Sequence, residues 1–293
     1  MSHSHHHDNA TKNIKTAFFL NLLFTIIEVF GGLYTNSIAI LSDAVHDLGD
    51  TISLGLSWYF QHLSRKKRDN TYSYGYKRFS LLGAIITSII LLVGSLFILS
   101  ETIPRLINPE QANAEGMMLL AILGVIVNGA AVLRLRNGSS INEKVVSLHL
   151  WEDVLGWLAV LVGSIVMHFW DLPIIDPLLS AGIAVYILVN IYKNLKQSFQ
   201  IILQGIPKHI DIGKVEKLIT NMEEVHSVHD CHVWTMDGEY NVFTAHVVLY
   251  SNYDIDSLEK VKASIKLNLQ NKDIHHITIE FENAENELCP QDV

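Results

Sequence analysis

Cysteine and positive charge are both scarce in this chain of 293 residues. It has 2 cysteines, Cys231 and Cys289, and its 21 lysines and arginines are outnumbered by 30 aspartates and glutamates. A single pair of cysteines in a polar region is not the disulfide framework of a small secreted protein, so nothing indicates an oxidising compartment. The formal net charge of −9 argues against a nucleic-acid partner.

The N-terminal segment also lacks a secretory signal, which would have a basic start, a short apolar core and a small-residue cleavage site. It reads MSHSHHHDNATKNIK and is rich in histidine instead. We interpret residues 1–15 as a His-rich tail in which His5, His6 and His7 offer metal ligands. The remnant of an affinity tag is the alternative interpretation of these histidines.

Charged residues, which make up 17% of the chain, are rare in six long apolar stretches of its first two thirds. Each stretch has about 20 mostly apolar residues, the length that a helix needs to cross a bilayer. We therefore expect an all-α transmembrane domain over residues 16–200, and not a soluble protein with buried core helices. The predicted spans are residues 16–34, 38–62, 80–102, 115–135, 145–168 and 174–193.

Lysine and arginine lie almost entirely on one side of these predicted spans. The segment RKKRDNTYSYGYKR follows the second span, RLRNGSSINEK follows the fourth, and lysines also stand before the first span and at the end of the sixth. On the opposite side we find only Arg105. Because cytoplasmic loops carry the excess of lysine and arginine, both termini and the last third of the chain are predicted to be cytoplasmic.

Two predicted spans contain ionisable residues, which cost several kcal/mol each at the bilayer centre and are usually functional. The second span holds His46 and Asp50, and the fifth holds His149 and Asp153 at the same spacing of four. That spacing places both side chains of a pair on one helix face. Two opposed faces offer two imidazoles and two carboxylates, a complete tetrahedral set for Zn2+, so we predict a transport site for a divalent cation.

These residues have three other interpretations. His–Asp pairs also hold helices together in membranes. A metalloenzyme is disfavoured because catalytic zinc keeps an open position for water and because no H-E-x-x-H motif is present, so we expect no enzyme activity. A membrane-anchored metal sensor without net transport would share every ligand of a transporter and differ only in vectorial flux.

The last third of the chain alternates between predicted helices and strands. Asp211 and Ser257 begin predicted helices that end at Met222 and Leu269. Strands are predicted over VHSVHDCHVWTM, over residues 240–250 and over residues 274–281. The order αββαβ indicates a small α+β domain at residues 206–287, followed by a tail of residues 288–293.

The sequence resembles the cation diffusion facilitator family, in its zinc-transporter branch. The resemblance rests on LSDAVHDLGD in the second span, LHLWEDVLGW in the fifth, VHDCHVW in the last third and the six-span layout, and it covers nearly the whole chain. It implies a ferredoxin-like cytoplasmic domain and a homodimer in a lipid bilayer. It also implies export of Zn2+ from the cytoplasm in exchange for protons, for which we expect alternating access. Cd2+, Co2+, Mn2+ and Fe2+ remain alternative substrates.

The resemblance also implies site residues. The family's transport site matches the quartet His46, Asp50, His149 and Asp153. In the cytoplasmic domain, His229, His246 and Glu282 fall on family ligand positions, and Cys289 is a plausible addition. The remaining candidates in that domain are His232, His275, His276 and Glu280.

Some bacterial members bind metal in the loop between the second and third spans through an aspartate and two histidines. Here Asp69 is present, but Tyr72 and Tyr76 stand where the histidines would be, so we predict that this site is absent. The lack of targeting signals and the short loop before the fifth span suggest a bacterial inner membrane.

Overall fold

The computed structural model describes Phe19 and residues 22–135, 141–251 and 253–283, and the side chains of these residues except 57, 134–135 and 141–149. The predicted ligands His5, His6, His7 and Cys289 therefore lie outside the described residues. The chain divides into two compact units. Unit 1 comprises residues 1–58 and 83–194, and unit 2 comprises residues 59–82 and 195–293.

The described part of unit 1 is built of long helices. Four of them have segments long and apolar enough to cross a membrane: Phe79–Ile107, Ala114–Leu133, Leu150–Trp170 and Ile175–Ile202. The helix before them contains three aspartates, which lower its hydropathy below that of an ordinary span. The helices are α1 (Leu22–Thr35), α2 (Ile38–Ser64), α3 (Phe79–Ile107), α4 (Ala114–Leu135), α5 (Ile141–Trp170) and α6 (Ile175–Ile202).

The start of α2 is capped by a carboxylate from another helix. Asp176, in the first turn of α6, is buried and accepts hydrogen bonds from Ser37 Oγ at 2.5 Å, Ile38 N at 2.9 Å and Ala39 N at 3.2 Å. The first N–H groups of a helix have no partner within the helix and carry partial positive charge. The buried carboxylate at this position therefore accepts hydrogen bonds from the first N–H groups of α2 and links α2 to α6.

A chain of buried hydroxyl groups joins three helices further along α2. Ser180 Oγ on α6 lies 2.9 Å from Ser42 Oγ on α2 and 2.9 Å from Thr102 Oγ1 on α3. Each hydroxyl can donate one hydrogen bond and accept others, so the three satisfy one another without a charge. The same end of α2 is thus held by α3 and α6.

Helices α4 and α5 pack closely at a glycine. Trp157 on α5 is fully buried and its ring lies against Phe24 of α1, with centroids 5.4 Å apart. A Cβ atom built on Gly124 of α4 would lie 2.3 Å from Trp157 Cδ2. Only a residue without a side chain allows the indole to sit directly on the α4 backbone.

Unit 2 contains a small sheet of three strands with helices on one face. Its elements are α7 (Ile212–Thr220), β1 (Val225–Thr235), β2 (Asn241–Leu249), α8 (Ile255–Gln270) and β3 (Ile274–Asn283). The central strand β2 pairs antiparallel with β1 and parallel with β3, and α8 makes the crossover that a parallel pair requires. Alternate residues Phe243, Ala245, Val247 and Leu249 of β2 enter the core with Ile265 and Leu269 of α8.

The observed order of helices and strands in unit 2 agrees with the predicted order αββαβ. Among the long helices, α3 and α6 extend beyond the predicted ends at residues 102 and 193, to Ile107 and Ile202. The polar residues Lys193 and Lys196 ended the predicted sixth span, but a polar residue stops a membrane span without stopping a helix.

Candidate metal centres

The predicted pair on α2 lies on one face of the helix, one turn apart. His46 Nε2 is 3.7 Å from Asp50 Oδ2, and both side chains are mostly buried, with 16% and 25% of their surface exposed. The His46 ring also meets the ring of Tyr186 on α6 edge to face, with centroids 6.1 Å apart. The two proposed ligands of α2 are thus positioned by the spacing of four and by an aromatic neighbour.

The predicted pair on α5 is described in part. Asp153 is buried, whereas the side chain of His149 lies outside the described part of α5. Tyr186, which meets His46, also donates a hydrogen bond of 2.9 Å to Glu152 Oε2 on α5. One tyrosine of α6 therefore contacts both α2, beside His46, and α5, beside Asp153.

Four carboxylates are buried together in unit 1. Glu28 on α1, Asp43 and Asp47 on α2, and Asp153 on α5 expose 0%, 5%, 1% and 6% of their surface. The other three interact electrostatically with Glu28. A carboxyl group in such a place is stable only if it is protonated or if a cation neutralises its charge. The interior of the helical unit therefore suits a positively charged cargo.

A second cluster in unit 2 brings together three residues from three adjacent strands. Glu282 on β3 reaches two histidines with its two oxygens: Oε1 is 2.7 Å from His246 Nδ1 on β2, and Oε2 is 3.4 Å from His229 Nε2 on β1. Possible ligand atoms of the three residues lie within 4.8 Å of one another. Imidazole nitrogens and a carboxylate oxygen are donors that zinc accepts. Of the side chains that the structure describes, these form the one such group of His, Cys, Asp or Glu.

The other candidates of this domain have different surroundings. His275 Nδ1 accepts a hydrogen bond from the backbone N–H of Asn241 at 3.3 Å, and its ring stacks on Tyr240. His276 meets the ring of Tyr74 at 5.4 Å. Glu280 Oε2 is 3.7 Å from His246 Nε2 and so lies at the edge of the cluster.

Asp230 is a neighbour of the cluster that the sequence did not predict. Its Oδ2 lies 3.7 Å from His246 Nε2, and its Oδ1 lies 2.8 Å from His232 Nε2. Regular strand alternation places Asp230 on the face opposite to His229. No signal in the sequence reveals the local irregularity that brings it near.

In the loop that follows α2, the ammonium group of a lysine lies beside an aspartate. Asp69 Oδ1 accepts hydrogen bonds from the backbone N–H groups of Thr71 and Tyr72, and Oδ2 accepts one from Tyr76 Oη at 2.8 Å. These hydrogen bonds hold the pKa of the Asp69 carboxyl well below its usual range, and the bond from Tyr76 has the largest effect. Lys66 Nζ lies 3.2 Å from Asp69 Oδ2 and donates to Tyr76 Oη. An ammonium group thus sits beside the carboxylate.

Comparison with known families decides the identity of both units. The family model described as "Cation efflux transmembrane domain" matches residues 14–203, and the model described as "Cation efflux protein, cytoplasmic domain" matches residues 207–284. The chain belongs to the cation efflux family. The predicted membership of the cation diffusion facilitators is confirmed, and so is a helical transmembrane region followed by a cytoplasmic domain with a small sheet. Both family descriptions name cation efflux, which points to a transporter.

Relatives of this cation efflux protein extend over almost its whole length. It is 32% identical over 286 residues, 96% of this chain and 92% of the relative, to the "Cadmium, cobalt and zinc/H(+)-K(+) antiporter" of Bacillus subtilis (strain 168). It is 32% identical over 280 residues, 94% of this chain and 88% of the relative, to "Zinc transporter ZitB" of Yersinia pseudotuberculosis serotype I (strain IP32953).

A solved structure also matches the C-terminal part. It is described as "Metal-bound C-terminal domain of the CzcD transporter from Cuprividus metallidurans". The identity is 35%, the match covers 25% of this chain and 99% of that chain, and the TM-score is 0.23.

Proposed function

We propose that this protein is a Zn2+ efflux transporter, which exports zinc from the cytoplasm in exchange for protons by alternating access. The observation that carries the proposal is the His46–Asp50 pair on one face of α2, beside a group of buried carboxylates that includes Asp153 of α5. The proposed transport site is the quartet His46, Asp50, His149 and Asp153.

Zinc is favoured over other divalent cations by the donor set. Two imidazoles and two carboxylates suit tetrahedral Zn2+, whereas Mn2+ prefers more oxygen ligands. The relatives carry names that include zinc, with cadmium and cobalt in one case, so these two ions are the strongest competitors. Fe2+ remains a weaker alternative.

Proton exchange follows from the chemistry of the ligands. A metal-bound imidazole is neutral and a metal-bound carboxylate is ionised, so zinc can enter only as protons leave His46, His149 and the aspartates. In the outward-facing state, protons return to the ligands and release the metal. Glu28, Asp43 and Asp47 line the same buried region and also require protons or cations there. The name of the Bacillus subtilis relative includes H+ as an exchanged ion, which supports this part of the proposal.

We propose the following architecture for the working transporter. Six spans occupy residues 16–200, with a tail of residues 1–15, a ferredoxin-like domain at residues 206–287 and a tail of residues 288–293. Both termini are cytoplasmic, which agrees with the excess of lysine and arginine in the loops on that side. The membrane is a bacterial inner membrane. The protein is a homodimer, and the short name ZT_dimer of the matching cytoplasmic family supports this assembly.

The cytoplasmic domain is proposed to bind a second zinc ion that regulates transport. The donor set is His229, His246 and Glu282, to which Cys289 is proposed to add a ligand. His5, His6 and His7 of the N-terminal tail are proposed as separate metal ligands. Binding that favours one conformation of the domain would shift the transport cycle by its difference in affinity for the two states.

A zinc flux assay in proteoliposomes tests the transport site. Asp50→Ala and Asp153→Ala should each abolish zinc uptake in stopped-flow measurements, because each removes a charged ligand from a buried site. Glu115→Ala, which removes an exposed acid at the start of α4, serves as the control and should transport normally. Normal flux in both aspartate variants would refute the assignment of the site.

The same vesicles separate transport from sensing and identify the metal. A pH gradient with an acidic interior should accelerate zinc uptake, and Cd2+ or Co2+ added in excess should compete. A membrane-anchored sensor would bind zinc but give no uptake at any gradient. A rate of zinc uptake that does not change with the pH gradient would exclude proton exchange.

A further inference from the structure

Strand β1 is irregular beside the cytoplasmic cluster. It pairs with β2 at His229↔His246 and next at His232↔Thr244, so two residues of β1 face one residue of β2. Such an insertion is a β-bulge, which redirects side chains locally. Asp230 occupies the bulge with a φ of 50°, in the left-handed region that aspartate tolerates better than most residues. The bulge thus turns Asp230 toward the face of the sheet that carries His229 and His246, which regular alternation would not allow.

The imidazole of His246 lies between two groups of carboxylates. Its Nδ1 is 2.7 Å from Glu282 Oε1, on the side of the ring where Glu282 also meets His229. Its Nε2 is 3.7 Å from Asp230 Oδ2 and 3.7 Å from Glu280 Oε2. One ring nitrogen therefore faces the proposed metal ligands, and the other faces acceptors that lie outside that set.

We propose that Asp230 is a positioning residue of the cytoplasmic zinc site, which accepts the Nε2–H of His246 and keeps Nδ1 turned toward His229 and Glu282. The inference rests on the proposed function of that cluster. A neutral imidazole that binds metal through Nδ1 carries its proton on Nε2. A carboxylate that accepts this proton fixes the tautomer and the ring orientation and makes the ligand more basic.

The distance of 3.7 Å exceeds hydrogen-bond length in the present geometry. A small rotation of the His246 ring away from Glu282 closes it. A zinc ion held by both Glu282 and His246 would replace their direct contact of 2.7 Å, and the ring would turn in this direction. Asp230 is then the acceptor toward which Nε2 moves.

Asp230 suits this role better than Glu280 does. The Glu280 side chain is 71% exposed, so it is free to adopt many rotamers in water. Asp230 has a shorter side chain that is 35% exposed, and its second oxygen is held by His232 Nε2 at 2.8 Å. The bulge and His232 together fix the position of the carboxylate before metal arrives.

Zinc titration of the full-length protein in detergent tests the proposal. Asp50→Ala and Asp153→Ala, together with alanine at His5, His6 and His7, form the background, so that the remaining bound zinc reports on the cytoplasmic site. Asp230→Gly removes the carboxylate and keeps the left-handed backbone, and it should weaken zinc binding about 10–100-fold. Asp230→Asn keeps a carbonyl acceptor, so it should recover most of that loss. Asp273→Gly, at another exposed residue with a positive φ of 60°, is the matched control and should bind like the background.

X-ray absorption at the zinc edge separates positioning from ligation. The number of nitrogen and oxygen neighbours of zinc should be the same with Asp230 and with Asp230→Gly. Loss of one oxygen neighbour would mean that Asp230 is itself a ligand and would overturn the proposal. Unchanged affinity in Asp230→Gly, or equal loss in the Gly and Asn variants, would overturn it as well. If His229→Ala with His246→Ala leaves zinc binding intact, the cytoplasmic site itself is wrong, which is a separate outcome.

Discussion

At the scale of single residues, Gly124 determines how closely α5 approaches α4. Trp157, whose ring covers this glycine, stands four residues after Asp153 and thus on the same face of α5. The position of the indole therefore sets the rotation of the helix that presents a proposed zinc ligand. A side chain at residue 124 would have to displace a large ring that is fully buried.

Gly124→Ala should therefore destabilise the transmembrane unit by about 1–3 kcal/mol, the usual penalty of overpacking a filled core. The change should also slow zinc flux, since α5 must shift. Gly129→Ala on the same helix is the control, because nothing lies within 4 Å of a Cβ atom built there. Thermal unfolding in detergent, followed by tryptophan fluorescence, measures the difference. Equal melting temperatures for the two variants would contradict the packing argument.

Residues of the two candidate sites differ in how far the sequence predicts them. The pair His46 and Asp50 is separated by one helical turn, and a helix converts that spacing into proximity without help from other elements. Asp230 could not be predicted, because its position depends on a bulge with a positive φ, and nothing in VHDCHVW distinguishes a bulged strand from a regular one. The side chain of His149 and the whole of Cys289 lie outside the described residues, so their roles stay predictions.

At the scale of elements, the loop between α2 and α3 is ordered by its own side chains. Asp69 binds the backbone of the next turn, and Lys66 bridges Asp69 and Tyr76. Gly75 closes the loop with a φ of 75°, which a residue with a side chain would find strained. The loop also contacts the cytoplasmic domain within unit 2, where Lys77 lies over the ring of Tyr240. Order in this loop therefore draws on a lysine.

This loop should respond to acid in a defined direction. The pKa of Asp69 is lowered in the folded state. The contribution of Asp69 to the stability of the folded loop is therefore complete above the ordinary aspartate pKa of about 3.9, and it is lost as the pH falls through the lower, folded-state value. Amide hydrogen exchange at Thr71 and Tyr72, corrected for intrinsic rates, should thus stay slow from neutral pH to about pH 4 and accelerate below it.

Asp69→Asn should accelerate exchange at the same two amides already at neutral pH, because it removes the charge that holds them. Asp256→Asn, at an acid of the first turn of α8, serves as the control and should leave the loop unchanged. Equal protection in Asp69→Asn and the parent protein would show that the carboxylate does not order the loop.

Most elements could be predicted from the sequence because each has its own periodic signal. Alternation identifies β2, and the apolar positions Val261, Ile265 and Leu269 identify the buried face of α8. The ends of α3 and α6 were predicted too early, since hydropathy reports where the bilayer ends, and a helix can continue into water. Strand order in the sheet is decided by tertiary packing, which local periodicity does not encode.

At the scale of the whole molecule, the distribution of charge predicts the orientation in the membrane. The segment after α2 contains RKKR, whereas the segment after α3 contains Pro109 and no lysine. If basic loops face the cytoplasm, the two segments lie on opposite sides of the membrane.

Cysteine labelling in intact cells checks this orientation. In a background with Cys231→Ser and Cys289→Ser, an impermeant maleimide should label Pro109→Cys directly and Lys67→Cys only after the cells are permeabilised. Both positions are exposed, so access to each depends on the membrane alone. The reverse pattern would invert the proposed direction of transport, and labelling of both in intact cells would refute the six-span arrangement.

The two fastenings between α2 and α6 have a mechanical consequence. Asp176 and the Ser42–Ser180 hydroxyl pair fix the start of α2, so the helix can tilt mainly about that end. Asp50 lies about 18 Å along the helix from its start, and a tilt of roughly 10° moves the Asp50 carboxylate by roughly 3 Å. A zinc–oxygen bond of about 2.0–2.2 Å cannot survive such a displacement. If Asp50 binds zinc as proposed, a tilt of this size, with the start of α2 held in place, is enough to take up the ion or to release it.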